Sequence, residues 1–364
     1  MDFDHNNVRA SLDEDRLSSL PLELIHQILS LFDTKFAVQT CLLLSPRWKL
    51  IWTSMPCLNF SCSGFKTLPK FSRFVTHVLS HRNHQVEVSS LNLSFRGEAT
   101  QVSVRKIVNY AFLHNIQELI VFSSPKNEFP PYFFSSHTLK HLTFATVLCD
   151  PCLSPKTPWD FPALTTLYLK NISLCDDYRE SIDRFSNCVN LNNLTLEFVT
   201  VNAKVFEIIT PQLFNLRLIY YRGSNVINVI AHQLENLTII HCLMKDLNIP
   251  LGLSSFCYKG YNPPQWFKNC FNSVNKVSVT LSMYRPRNPY KKGDARGIIK
   301  MFHELHSVRY LTLNLDIIEC ISSFPKLLST QPSPFSNLIR LNIDSGTRDT
   351  CKLKMSTKAR NFLL

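Results

Sequence analysis

Two short spacings could carry metal or redox chemistry. Cys149-Asp-Pro-Cys152 has the gap of a thiolate pair, and His81-Arg-Asn-His84 sets two imidazoles three residues apart. A structural zinc site needs four such ligands, usually as two pairs, and no second pair stands at that distance from either. They read as two loop cysteines and a solvated helix end. Phosphate cradles need Gly-rich turns, yet only 8 of the 364 residues are Gly. No Walker-type loop, G-x-S-x-G elbow or H-E-x-x-H pair occurs. The expectation is a chain with no catalytic residue, no metal and no cofactor, working by binding.

The elements that would position a binding surface are easier to read. With 45% apolar and 18% charged residues the composition is that of a folded protein, long enough for two domains. The 20 prolines predict frequent loop punctuation. The opening "MDFDHNNVRASLDEDR" lacks the basic and apolar regions of a secretory signal, and no run of about 18 apolar residues occurs. Membrane contact is therefore not expected, and the protein is placed in the cytoplasm or nucleus. The 12 cysteines are then small core residues, and the sequons at Asn92, Asn171, Asn193 and Asn236 stay unmodified. The net charge of +12 is mostly dispersed. One basic cluster, Tyr284–Gly297, reads as an exposed loop with too few aromatics for a nucleic-acid partner.

"RLSSLPLELIHQILSLFD" (Arg16–Asp33) is apolar around a wide face. Pro21 suits a first helical position, with Leu24, Ile25, Ile28, Leu29, Leu31 and Phe32 at helical spacing. Asp33-Thr34 offers the next cap. A second helix carries Phe36, Ala37, Val38, Cys41, Leu42 and Leu44. A third follows Ser45-Pro46, with Trp48, Ile51 and Trp52. Three helices this short cannot bury so much apolar surface by themselves. They either dock on the rest of the chain or leave a face for a partner helix.

Asp15–Trp52 resembles the F-box of plant proteins. The marks are Leu20-Pro21, the Leu/Ile-rich first helix, Asp33–Lys35 with Ala37-Val38, and Leu44-Ser45, Arg47-Trp48 and Trp52; Thr53–Phe60 is similar to the usual continuation. Leu22 departs from a common acidic residue and Pro46 from a common Lys. The resemblance implies binding to the Skp-type adaptor of a cullin–RING ubiquitin ligase, through Leu20, Pro21, Leu24, Ile25, Ile28, Leu29 and Trp48.

The remainder repeats one pattern: an apolar residue, two others, then apolar-x-apolar. It is clear at residues 139–144, 164–169, 191–196, 213–218, 234–239, 274–279, 308–313 and 338–343, and weaker at 91–95, 116–121 and 253–258. Most spacings lie in or near the 20–29 residues of a leucine-rich repeat. Each unit is a short strand with one buried face that only a neighbouring unit can cover. The longer units leave room for helices, expected at Tyr178–Val189 and Ala295–His306, and shorter ones return by an extended path. Val147, Ile172 and Val199 replace the usual Asn, whereas Cys242 is conventional there. This resembles the irregular repeats of plant F-box/leucine-rich-repeat proteins, and Ser356–Leu364 resembles the start of that family's last helical unit, a cap expected to be incomplete.

The predicted fold is therefore α/β: a flexible stretch at 1–14, a three-helix F-box at 15–60, linking helices at 61–90, and an irregular solenoid at 91–364 with parallel strands on its concave side. Alternation points Thr143, Tyr168, Thr195, Arg217, Thr238 and Ser278 outward, with Cys257, Thr312 and Asn342 in the same row. Lys170, Glu197, Lys259, Lys276 and Arg340 flank it. Tyr168 and Arg217 are the strongest anchors for a target by residue type. The resemblance implies a substrate receptor that joins an unknown target to the adaptor and, through it, to cullin and RING subunits. Two alternatives stay open: a repeat module with no degradation target, and a receptor whose repeat face also takes a small molecule.

Overall fold

The computed structural model describes residues 19–44, 46–95, 101–123, 131–147, 152–153, 158–175, 180–264, 271, 273–282, 290–346 and 355–364. Residues 1–18, Ser45, Cys149 of the thiolate pair, Tyr178 and Tyr284–Pro289 of the basic cluster lie outside the described residues, whereas Lys292–Gly297 of that cluster, expected as loop, begin a helix because they precede its apolar stripe. The chain divides into two compact units, residues 1–120 and 121–364.

The first unit begins with α1 (Leu22–Ser30) and α2 (Thr34–Leu43). Pro21 is the N-cap of α1 rather than its first residue, and it offers no side-chain cap. Asp33 caps α2 by accepting from Phe36 N at 2.8 Å. The third expected helix is a 3-10 helix, Pro46–Ser54, the tighter coil used in short pieces. Two βα units follow. Strand Cys57–Ser61 pairs in parallel with Ser90–Ser94, joining Leu58 to Leu91 and Phe60 to Leu93. Between them α3 (Leu68–His81) buries Phe71, Val75, Val78 and Leu79, one stripe of the 3.6-residue period. A further helix, α4 (Gln101–Leu113), buries Val104, Ile107, Val108 and Ala111 and leads to strand Glu118–Ser123.

The second unit is a parallel ladder of nine strands among the described residues. In order they are His141–Thr146, Thr166–Lys170, Asn193–Glu197, Asn215–Ile219, Asn236–Ile240, Ser255–Gly260, Lys276–Leu281, Tyr310–Asn314 and Arg340–Asp344. Each pairs with the strand of the next repeat, so sequence order is spatial order. Alternation holds throughout: Leu167, Leu169, Leu194, Leu196, Leu216, Leu218, Leu237 and Ile239 are buried. The last strand departs, with Leu341 and Ile343 half-buried only.

Opposite this ladder the middle repeats return as strands. Ser181–Asp183, Val205–Ile209, Val226–Ile230 and Asp246–Asn248 form a second parallel ladder, and Cys152–Leu153, Ser173–Cys175 and Thr200–Asn202 a third. The expected helix over Tyr178–Val189 is thus overturned, because Ile182 pairs with Phe206 of the next return strand. Between the ladders Phe134, Trp159, Phe185, Phe206 and Tyr221 form an interior column with ring centroids 5.1–6.2 Å apart.

Toward the C-terminus the returns become helical. The helix expected at Ala295–His306 is α5 (Lys292–Glu304), burying Ile298, Ile299, Met301 and Phe302. It is followed by α6 (Leu315–Ser322), α7 (Pro325–Leu328) and α8 (Thr357–Leu363). Ser356 caps α8 by accepting from Ala359 N at 3.2 Å, and Phe362 is buried against Phe302 at 6.4 Å.

Candidate functional site

Two surfaces stand out, one in each unit. In the first, α1 is apolar on both sides. Ile25 and Leu29, one helical turn apart, are buried, while Leu22, Leu24, Ile28, Leu31 and Phe32 are exposed. The helix α2 repeats the division, with Ala37, Val38 and Cys41 inward and Phe36, Leu42 and Leu43 outward. Trp48, Ile51, Trp52 and Met55 fill the interior behind them, and His26 Nε2 meets Ile51 O at 3.3 Å. With Leu44 and Leu50, ten of the 22 exposed large hydrophobics among the described residues fall between Leu22 and Leu50. Scattered apolar residues are ordinary on a surface, but this density makes it a candidate interaction surface.

The geometry divides the expected contact set by burial. Ile25, Leu29 and Trp48 are at most 3% exposed, so they brace the helices from inside and offer no side chain to a partner. Leu20 is half-buried, and Pro21, Leu24 and Ile28 are exposed. The expected contact set left out Leu22, Phe36, Leu42, Leu43 and Leu50, since apolar spacing alone does not say which apolar side chains pack inward and which stay exposed. The turn beyond is pinned by Lys35, whose Nζ donates to Gly64 O at 2.6 Å and lies 4.7 Å from the centre of the Phe65 ring. Thr34 Oγ1 accepts from Asn59 N at 2.8 Å, tying α2 to the first strand.

In the second unit the ladder brings the outward row together in register. Thr143 lies beside Tyr168, then Thr195, Arg217, Thr238, Cys257, Ser278, Thr312 and Asn342. Thr143, Tyr168, Thr195, Thr238 and Ser278 are half-buried, and Arg217 is exposed. Tyr168 is not free: its hydroxyl donates to Glu197, which also holds Lys170 Nζ at 2.7 Å. Desolvation and this carboxylate push the Tyr168 phenol above its usual range. Partial desolvation would raise Glu197, but hydrogen bonds from Lys170 and Tyr168 and the charges of Lys170 and Arg217 bring it below its ordinary value.

A second row, at the carboxyl end of the strands, escaped the pattern reading. Asn171, Phe198, Tyr220 and His241 each follow a strand in the left-handed region, with φ between 50° and 54°. That conformation costs an L-residue roughly 1–2 kcal/mol and suits Asn better than bulky rings. Each backbone N–H is satisfied by the next repeat: Phe198 N donates to Ile219 O, Tyr220 N to Ile240 O and His241 N to Lys259 O. Phe198 and Tyr220 stack at 4.5 Å and Tyr220 and His241 at 5.2 Å, while the His241 and Tyr261 rings lie tilted at 4.6 Å. The residue after each left-handed position turns inward, as Ile172, Val199, Tyr221 and Cys242. The Cys242 thiol donates to Leu218 O at 3.2 Å, and burial pushes it up to about 11.

His81 and His84 are exposed; His81 Nδ1 lies 2.8 Å from His77 O, and the His84 ring lies against Tyr110 and His114. Among the described residues no group of three or more His, Cys, Asp or Glu side chains could hold a metal ion, and no helix is long and apolar enough to cross a membrane.

Comparison with known proteins finds matches to both the N-terminal helices and the repeats. Residues 17–60 match the F-box domain family, and residues 104–251 match the leucine-rich repeats described for the FBD-associated F-box protein At5g56370. The F-box/FBD/LRR-repeat protein At3g26920 of Arabidopsis thaliana is 30% identical over 220 residues, 58% of this chain and 49% of the relative. The chain spans about half the length of that relative. F-box/LRR-repeat protein At3g26922 of the same plant is 31% identical over 215 residues, 57% of this chain and 68% of the relative. F-box/LRR-repeat protein 25, also from A. thaliana, is 30% identical over 200 residues, 54% and 72% of the two chains. With the apolar helices and the stacked parallel strands already in view, these matches show that the chain belongs to the F-box/leucine-rich-repeat proteins.

Proposed function

We propose that this protein is the substrate-recognition subunit of a cullin–RING ubiquitin ligase of the Skp-adaptor type, working in the cytoplasm or nucleus. The carrying observation is the exposed apolar surface of α1 and α2, which its own unit leaves uncovered. Leu24, Ile28, Phe36, Leu42 and Leu43 would face the adaptor, with Leu20 and Pro21 at the rim. Ile25, Leu29 and Trp48 would act through them by holding the helices in place. The outward row of the ladder, with Thr143, Tyr168, Thr195, Arg217, Thr238 and Ser278, would hold the target. Catalysis is then positioning, and the bond-making groups belong to other subunits.

Adaptor co-purification tests this directly. Leu24→Glu with Ile28→Glu should abolish adaptor capture and leave the melting temperature nearly unchanged, because both side chains are exposed. Retained capture would remove the assignment of this face. Affinity capture under proteasome inhibition, followed by ubiquitination of the captured protein in a reconstituted ligase, tests the receptor role. Captured proteins that the ligase leaves unmodified would favour a repeat module without a degradation target.

A further inference from the structure

The column Phe198, Tyr220, His241 and Tyr261 runs beside the outward row and ends at a cavity of about 590 Å³. Tyr220, His241, Tyr261 and Pro263 line that cavity together with Arg222 and Lys245, and among the described residues no carboxylate lines it. Both cations are exposed, and neither joins an ion pair among the described residues. Arg222 is held firmly: its N donates to Val199 O at 3.0 Å and its O accepts from Val201 N at 2.9 Å. Gly223 beside it has φ 115°, and a Cβ there would strike Val201 O. Lys245 is fixed by its N–H, donating to Asn225 O at 2.8 Å. Three successive repeats keep a bulky or aromatic residue in the left-handed region, and such outliers gather at functional sites.

We propose that this aromatic column and its cationic cavity form a binding groove for an acidic, aromatic-containing peptide segment of the target. This deepens the receptor reading and rests on its giving target capture to the repeats. The ring-to-ring steps of 4.5, 5.2 and 4.6 Å make the column about as long as four extended residues at roughly 3.3 Å each, a length suited to peptide backbone. The rings supply flat apolar contact area, with Tyr261 57% exposed at the end of the stack. Arg222 and Lys245 supply positive charge that an acidic partner would complement.

The test uses the full chain co-produced with its adaptor and a fluorescein-labelled peptide of alternating Glu and Trp, read by fluorescence anisotropy. Alternating Gln–Trp and Glu–Ala peptides of the same length should each bind at least about tenfold more weakly. Arg222→Glu with Lys245→Glu should weaken the Glu–Trp peptide by at least about tenfold, whereas Arg222→Lys with Lys245→Arg should retain most binding. Tyr261→Ala should weaken it with an unchanged melting temperature. Equal binding of the Gln–Trp peptide, or of the charge-reversed variant, would overturn the proposal. Adaptor capture by the same preparations, which these substitutions leave untouched, reports separately on the receptor reading.

Discussion

The middle and the C-terminal end of the second unit solve one problem in two ways. Both must carry the chain back across a layer about as thick as one strand is long. Val205–Ile209 does so in five residues at roughly 3.3 Å each, about 17 Å. The 13 residues of α5, at roughly 1.5 Å each, cover about 20 Å. Repeat length therefore selects the return. The spacing of 22 residues between Leu194 and Leu216 accommodates strands, and that of 34 between Val277 and Leu311 accommodates a helix. Spacing alone does not decide the intermediate 27 between Leu167 and Leu194. There the neighbouring return strand at Val205–Ile209 offers a ladder that a lone helix would leave unpaired.

The comparison breaks first at the core. Phe206→Ala removes a ring packed between Phe185 and Tyr221 in the strand-return region, and Phe302→Ala removes one packed on Phe335 and Phe362 in the helical region. Each should cost about 3–5 kcal/mol in chemical unfolding. Because repeats rest on their neighbours, hydrogen exchange should rise most around each lesion. Uniform loss of protection along the whole unit would mean that the two regions are one cooperative block.

Glycine substitutions should then separate the regions by sign. Gly223→Ala forces a Cβ onto the Val201 backbone at positive φ and should destabilise by about 1–3 kcal/mol. Gly293→Ala in α5 meets nothing within 4 Å and should stabilise by roughly 0.5–1 kcal/mol. Thermal melts of the two variants check this, and a destabilising Gly293→Ala would remove the contrast.

Smaller still is the surface cluster of Glu197, Lys170 and Tyr168. The folded carboxyl lies below its ordinary value, so its contribution is present above the unfolded value of roughly 4.3 and is lost as pH falls through the folded one. Glu197→Gln should lower stability at neutral pH by less than about 1 kcal/mol, since the pair is partly solvated, and should have no effect at strongly acidic pH. A pH series of unfolding midpoints measures it.

The finest probe leaves stability alone. Burial raises Cys242 to about 11 and Cys320 to about 12, one thiol in each region. Both should resist iodoacetamide at pH 8, with labelling of Cys242 rising about tenfold per pH unit as the thiolate fraction grows. Rapid modification of either at pH 8 would show that its repeat opens readily.

Much of this was legible in the sequence where a period repeats. The outward row from Thr143 to Asn342 follows from strand alternation, because a one-residue slip would expose Leu167, Leu194 and Leu216. The helix at Lys292–Glu304 follows from Ile298, Phe302 and Leu305 on one face. At Tyr178–Val189 the same spacing misled: Ile182 and Phe185 are buried by strand pairing and ring packing, while Val189 is exposed. The column at Phe198, Tyr220, His241 and Tyr261 has no local signal, since its members stand about one repeat apart. Setting the repeats beneath one another at the residue after each strand would expose most of it. On α1, Leu24 and Ile25 are equally apolar in sequence, and only packing separates the face kept from the face left open.

The in-register ladder has a consequence for how such a protein changes over generations. Thr195, Arg217, Thr238 and Cys257 sit side by side, yet each is flanked along its own strand by buried residues that belong to a different layer. A codon change in the outer row alters what the surface presents without touching the interior that holds the units together. The architecture thus uncouples inheritance of the scaffold from exploration of new surfaces, and duplicated copies can diverge in what they grip while inheriting the same body.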